Sequence, residues 1–276
     1  MKNKTLILSI ASVLAVGAAL LGSAHADNTL VYSKTSKDGS PGESQKMLIR
    51  AGKMRIDMPD GKNAMIYDAL ADKVFILQMS EKKYMTMDPA MMEKMMGALT
   101  GLQAQLEAKM ANMPEAQREQ MRAMMSKMGA GLLGGGKTPV IKYVETGRKE
   151  KVGDYQTQVV EVLEDGKKTI DYYLIDRADL EIGDVEYATL QKFQAFLGKL
   201  MKSLPGPMKQ KMKIQMLLAK GNQLPVKADH FENSKLKRTD QLTEISNKGL
   251  DPALFEIPEG FQQRQMPIGP GAGGIQ

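Results

Sequence analysis

Methionine is the residue whose spacing most invites a chemical reading. Met91, Met92, Met95 and Met96 form one cluster and Met121, Met124, Met125 and Met128 a second, and twelve of the 22 methionines that follow the initiator lie between Met85 and Met128. The second cluster has the i, i+3, i+4, i+7 spacing that places side chains on one stripe of a helix. Met92, Met95 and Met96 follow it too, with Leu99 completing the set. Such thioethers are soft ligands suited to Cu(I). They are also sacrificial reductants, since their sulfoxides can be restored. Finally, they make a deformable apolar surface for variable partners or acyl chains. The bland reading is that the stripes are buried helix faces packed on a sheet. A copper site usually adds His or a Met-x-Met array, and only Met85-x-Met87 has that form. The adaptable surface is therefore the functional reading carried forward.

Three further features could do chemistry. Lys199 to Lys220 holds Lys199, Lys202, Lys209, Lys211, Lys213 and Lys220 with no acid. Met208, Met212 and Met216 recur there every fourth residue beside Ile214, Leu217 and Leu218. That pattern makes a basic amphipathic helix, which can lie on an anionic membrane surface or cover an apolar groove, or can simply be a solvated face over a packed stripe. The acidic pairs Asp57 with Asp60, Asp68 with Asp72 and Asp176 with Asp179 would serve acid–base catalysis only if held across a cleft. Each brackets an expected turn, where Asp caps backbone groups for local reasons. His230 stands in an expected strand between Asp229 and Phe231, with no Cys in the chain and only His25 besides, so no metal set forms around it. No nucleophile elbow, phosphate loop, dinucleotide fingerprint or calcium loop is present. No enzyme activity, metal site or cofactor is expected.

The elements that must position these residues follow from the turn signals. From Leu30 to Met87 short apolar runs alternate with breaks at Asp38-Gly39, Ala51-Gly52-Lys53, Pro59-Asp60-Gly61 and Ala71-Asp72-Lys73, the pattern of an antiparallel meander. Met54, Ile56 and Met58 would face a core, with Arg55 and Asp57 facing water. Asp88-Pro89 starts a helical texture that ends in the Gly-rich stretch from Gly129 to Gly136, with helices expected over about 89–112 and 114–128. Strands resume at Val140 to Glu145, Thr157 to Leu163 and Thr169 to Ile175. A second helical pair, about 184–203 and 207–220, precedes strands at Leu224 to Phe231 and Lys235 to Ile245. After Phe261 a disordered tail, 262–276, is expected.

Composition and the N-terminus bound the setting. The chain has 276 residues, 42% of them apolar and 25% charged, with a net charge of +6, which is globular and too evenly balanced for a nucleic-acid binder. Lys2 and Lys4, the apolar run from Leu6 to Leu21 and Ala24-His25-Ala26 form an export signal, expected to be cleaved after Ala26 and to leave the mature protein in the periplasm. The apolar run is short for a membrane span. Residues 27–261 are expected to make one domain with a Met-rich insert at 88–138.

A family resemblance rests on particular stretches: Met54-Arg55-Ile56-Asp57, Ala64-Met65-Ile66-Tyr67-Asp68, Val74-Phe75-Ile76-Leu77, Tyr84-Met85-Thr86-Met87-Asp88 and, far away, Leu254-Phe255-Glu256-Ile257-Pro258-Glu259-Gly260-Phe261. These resemble an uncharacterised family of exported bacterial proteins whose domain of unknown function is similar to the LolA and LolB lipoprotein carriers. The resemblance implies an α+β fold, a curved antiparallel half-barrel with two helical pairs, one Met-rich, covering its concave face. The function then expected is non-enzymatic carriage of a lipid, lipidated or other hydrophobic ligand. Met91, Met92, Met95, Met96, Met121, Met124, Met125, Met128, Met212 and Met216 would form its hydrophobic mouth, and Lys202, Lys209, Lys211 and Lys213 would touch an anionic membrane surface. Two alternatives stand beside it: an envelope stress protein buffering Cu(I) or scavenging oxidants, and a structural or partner-docking envelope protein.

Overall fold

A computed structural model describes residues 27–111, 113–115, 117–118, 139–202 and 220–264. Twelve strands form one sheet: β1 (Asn28–Ser36), β2 (Pro41–Arg50), β3 (Lys53–Asp57), β4 (Asn63–Asp68), β5 (Lys73–Gln78), β6 (Lys83–Met87), β7 (Ile141–Val152), β8 (Tyr155–Glu164), β9 (Lys167–Asp176), β10 (Gln223–Glu232), β11 (Lys235–Ser246) and β12 (Gln262–Gln263). Two long helices, α1 (Pro89–Ala111) and α2 (Asp184–Lys202), and short 3-10 turns at Arg177–Leu180 and Pro252–Phe255 complete the described elements.

β1 to β6 are joined in order by tight turns, as are β7 to β9 and β10 to β11, whereas β9 and β10 pair although α2 lies between them in the chain. Asp165 and Gly166 take φ of 49° and 80° between β8 and β9, the left-handed pair of a two-residue hairpin that glycine adopts without steric cost. The strand order is β12-β6-β5-β4-β3-β2-β1-β11-β10-β9-β8-β7. β1 is thus the seam, antiparallel to β2 on one side and to β11 on the other, which brings the first strand of the described chain against its last long one.

α2 closes one side of the main core, whose other buried residues come chiefly from the strands. Tyr187, Leu190, Phe193, Phe196, Leu197 and Leu200 recur on one stripe and are all buried, as an amphipathic helix laid on a sheet requires. Its first turn carries Asp184 and Glu186, matching the positive end of the helix dipole. Tyr67 of β4 lies between Phe193 and Phe196, ring centroids 5.0 and 5.3 Å away, and burial pushes its phenol up to about 12. The Thr189 hydroxyl accepts from Gly52 N at 2.9 Å and is 3.2 Å from Arg50 O, pinning the helix to the β2–β3 turn.

The structure corrects the expected architecture. In place of an α+β half-barrel with two helical pairs on its concave face there is a sheet-dominated molecule with two long helices among the described residues. The sheet is mixed, because β12 runs parallel to β6, and it is not closed, because β12 and β7 stand at opposite ends of the order. The reason lies in long-range pairing and packing. Among the described residues α2 packs on β2 and β3 and α1 packs on α2, with Met92 and Met95 of α1 reaching the same core. Beyond Pro114, Glu115, Gln117 and Arg118 are helical; the rest of that helix and the whole of 207–219 lie outside the described residues.

Two smaller expectations change as well. The face of the first meander carrying Arg55 and Asp57 is not open to water: Arg55 Nη1 donates to Leu254 O at 3.0 Å, and Ile257 and Phe261 pack against a cluster of Ala64, Ile66 and Leu77. The segment whose sequence carried the family resemblance is therefore a cover for the first meander's second face. The tail expected to be disordered from 262 begins as β12, with Arg264 N donating to Tyr84 O at 2.8 Å.

Candidate functional site

Pro225 shapes the site. β10 and β11 pair from Glu232↔Lys235 to Lys227↔Gln241 and then part. Beyond that point β11 continues beside β1 as far as Thr29↔Ser246, and β10 continues beside β9 as far as Gln223↔Asp176. Proline has no N–H to give to a ladder, and the β9–β10 register shifts between Pro225 and Lys227, a bulge that turns the strand. The Tyr32 hydroxyl of β1 spans the split and donates to Pro225 O at 3.0 Å. Burial raises that phenol far above its ordinary value, so it stays a neutral donor.

The split opens a cleft of about 130 Å³. Leu30, Met47, Leu190, Leu224 and Pro225 give it an apolar lining, contributed by β1, β2, α2 and β10, and Lys34, Gln45, Lys227, His230 and Asp240 bring polar atoms to it. Three of those polar groups are already partnered. His230 Nε2 lies 2.9 Å from Asp240 Oδ2, and Arg238 Nε lies 3.2 Å from Asp240 Oδ1. Burial works to raise the Asp240 carboxyl, but the His230 hydrogen bond and the His230 and Arg238 charges outweigh it and hold the group below the usual carboxylate range. Lys227 Nζ is 2.8 Å from Asp229 Oδ2 and 4.4 Å from the centre of the Tyr173 ring. Asp229 also accepts from Tyr173 and Thr239 at 2.9 and 2.6 Å. Against the opposing effect of burial, these donors lower its pKa. Lys34 is different. It stands opposite Asp240 in the β1–β11 register and lines the cleft, yet among the described residues its ammonium has no hydrogen-bond or ion-pair partner.

The residues singled out by sequence fall elsewhere. Met92 is buried at 9% exposure and Met95 packs against the main core, so these two stripe residues serve α1 packing. Met91 is half-buried, with its N–H capped by Asp88 Oδ1 at 2.8 Å, and Met96 lies on the same helix. Met121, Met124, Met125, Met128, Met212 and Met216 lie outside the described residues, as do Lys209, Lys211 and Lys213. Lys202 ends α2, while Lys199 and Lys220 are paired with Asp72 and Glu145 at 2.7 and 2.6 Å. In each acidic pair at least one Asp is a turn cap: Asp60 accepts from Lys62 N, Asp68 from Leu70 N and Asp176 from Ala178 N, each at 2.9 Å. Among the described residues of the four features, only His230 reaches the cleft. Met47 is the cleft's methionine, and no spacing rule marks it. The signal that does mark the site is a proline inside an otherwise strong strand, Leu224-Pro225-Val226, together with the alternation Leu30, Tyr32, Lys34 on β1.

No family model matches the chain, and no curated protein matches it. Among solved structures it is similar to an uncharacterized conserved protein from Thermus thermophilus, at 8% identity and a TM-score of 0.40 over 87% of this chain and 91% of that one. It is also similar to PNGF-II in its C2 and P21 crystal forms, at 10% and 8% identity and TM-scores of 0.36 and 0.35. There 86% of this chain is covered, but only 30% and 31% of PNGF-II. Likenesses this weak carry no argument about this chain.

Proposed function

We propose that this chain is a non-enzymatic periplasmic binding protein for a small hydrophobic ligand, held in the cleft between β10 and β11. The observation that carries the reading is that cleft: a volume of about 130 Å³ where β10 leaves β11, with Leu30, Met47, Leu190 and Leu224 of the main core in its lining, beside a proline that has no N–H to offer across the split. Apolar pockets with a few convergent polar groups are the usual form of small-molecule sites. Size narrows the class. An apolar cavity of about 150 Å³ admits one benzene, so a ring or a short branched chain fits here, and only the end of a long acyl chain would. Export is supported by the charged start, apolar run and small-residue cleavage pattern of residues 1–26. Among the described residues no helix is long and apolar enough to cross a membrane.

The test is calorimetric titration of the purified protein with toluene and cyclohexanol, alongside an Ala228→Met variant, Ala228 of β10 being a further lining residue whose enlargement is expected to fill the cleft. Saturable binding by the wild type, abolished in a variant whose Tm shows that it is folded, is the expected result. Absence of saturable binding to the wild type, or equal binding by the filled variant, contradicts the assignment.

A further inference from the structure

The charge inventory of the cleft names the ligand's other end, granted that the cleft is the binding site. Asp240 is held by His230 and Arg238, and Lys227 by Asp229. Only Lys34 brings a charge to the cleft that no described residue neutralises. Lys34 is half-buried, so part of its hydration is lost without replacement, and a charge in that position is stabilised by an anion that supplies hydrogen-bond acceptors. Tyr32 spends its hydroxyl proton on Pro225 O and cannot donate to a ligand. Gln45, opposite Tyr32 on β2 and also lining the cleft, offers amide donors beside the ammonium.

We propose that the cleft binds a small monocarboxylate, with the carboxylate on Lys34 and Gln45 at the polar rim and a ring or branched aliphatic body against Leu30, Met47, Leu190 and Leu224. One uncompensated cation sets the charge at one. A phosphate dianion would require a second free cation, and the other lysine of the cleft is committed to Asp229. The volume sets the body, excluding all but the tip of a long-chain fatty acid.

Benzoate, benzamide and toluene separate the contributions, since the three share a ring and differ at the head. Calorimetry with wild type, Lys34→Met and Lys34→Glu is the experiment. Benzoate is expected to bind the wild type about tenfold tighter than benzamide, the margin of a charge-assisted over a neutral hydrogen bond. Lys34→Met should erase that margin while leaving toluene affinity unchanged, and Lys34→Glu should invert it. Equal affinity for benzoate and benzamide, or a benzoate preference that survives Lys34→Met, overturns the carboxylate assignment while the hydrophobic site stands. Failure of all three probes to bind the wild type overturns the site itself, and this inference with it.

Discussion

Tyr32 tests how the split is held. Its hydroxyl gives Pro225 O its hydrogen bond, so Tyr32→Phe leaves a carbonyl at the cleft short of a donor. The expected cost is about 1–3 kcal/mol, read from urea denaturation; an unchanged midpoint would mean that water replaces the phenol without loss. Asp229 and Asp240 contribute to the acid limit. Both carboxyls sit lower in the folded protein than in the unfolded chain. Their contribution to stability is therefore complete above the ordinary carboxylate value of about 4 and is lost as pH falls through their lower folded values. Asp240→Asn should flatten the acid limb of a Tm-versus-pH curve, and an identical limb in the variant would remove Asp240 from the account. At this scale the sequence was partly legible. The turn-capping role of Asp60, Asp68 and Asp176 could be read from local spacing, because an Asx turn is closed by residues two or three positions away. That Lys34 has no partner among the described residues could not, because the partners of its cleft neighbours come from β10 and β11, about two hundred residues further on.

Elements were the most legible level. α1 and α2 begin at the expected residues, capped or charged as their first turns require, and the strands fall where turn residues bracket apolar runs. What spacing did not separate was a helix stripe that binds from one that packs. Phe196 and Met92 now make that distinction measurable. Phe196→Ala should cost about 3–5 kcal/mol, since its side chain is fully buried against Tyr67 and Phe193. Met92→Leu, a swap that nearly conserves volume, should cost less than about 1.5 kcal/mol. A large loss from Met92→Leu would mean that its sulfur does something packing does not explain. β10 offers a sharper case. Pro225→Val restores an amide that can pair across the split, so it should weaken toluene binding and give residue 225 a slowly exchanging amide. Unchanged affinity with a fast-exchanging amide would detach the split from the proline.

At the level of the whole molecule the order of pairing decides the architecture, and that order is the least visible in a sequence. A meander announces neighbours that are adjacent in the chain. Nothing local announces that β1 will join β11 as well as β2, or that Gln262-Gln263 will return to lie parallel to β6. The expected half-barrel failed at these non-local joins, whereas its local hairpins survived. The open end at β7 carries Lys142, Arg148, Lys149, Glu150 and Lys151, with a register shift between Glu145 and Lys149, charges and irregularity of the kind that discourage edge-to-edge pairing. The claim on which the functional account turns is that the β10–β11 split admits a guest, and methyl-resolved NMR during a toluene titration addresses it most directly. The account predicts saturable shifts at the Leu30, Leu190 and Leu224 methyls and none at Leu200, which belongs to the same core but is not part of the cleft lining. Shifts absent from those three methyls, or spread evenly over the core, would contradict it.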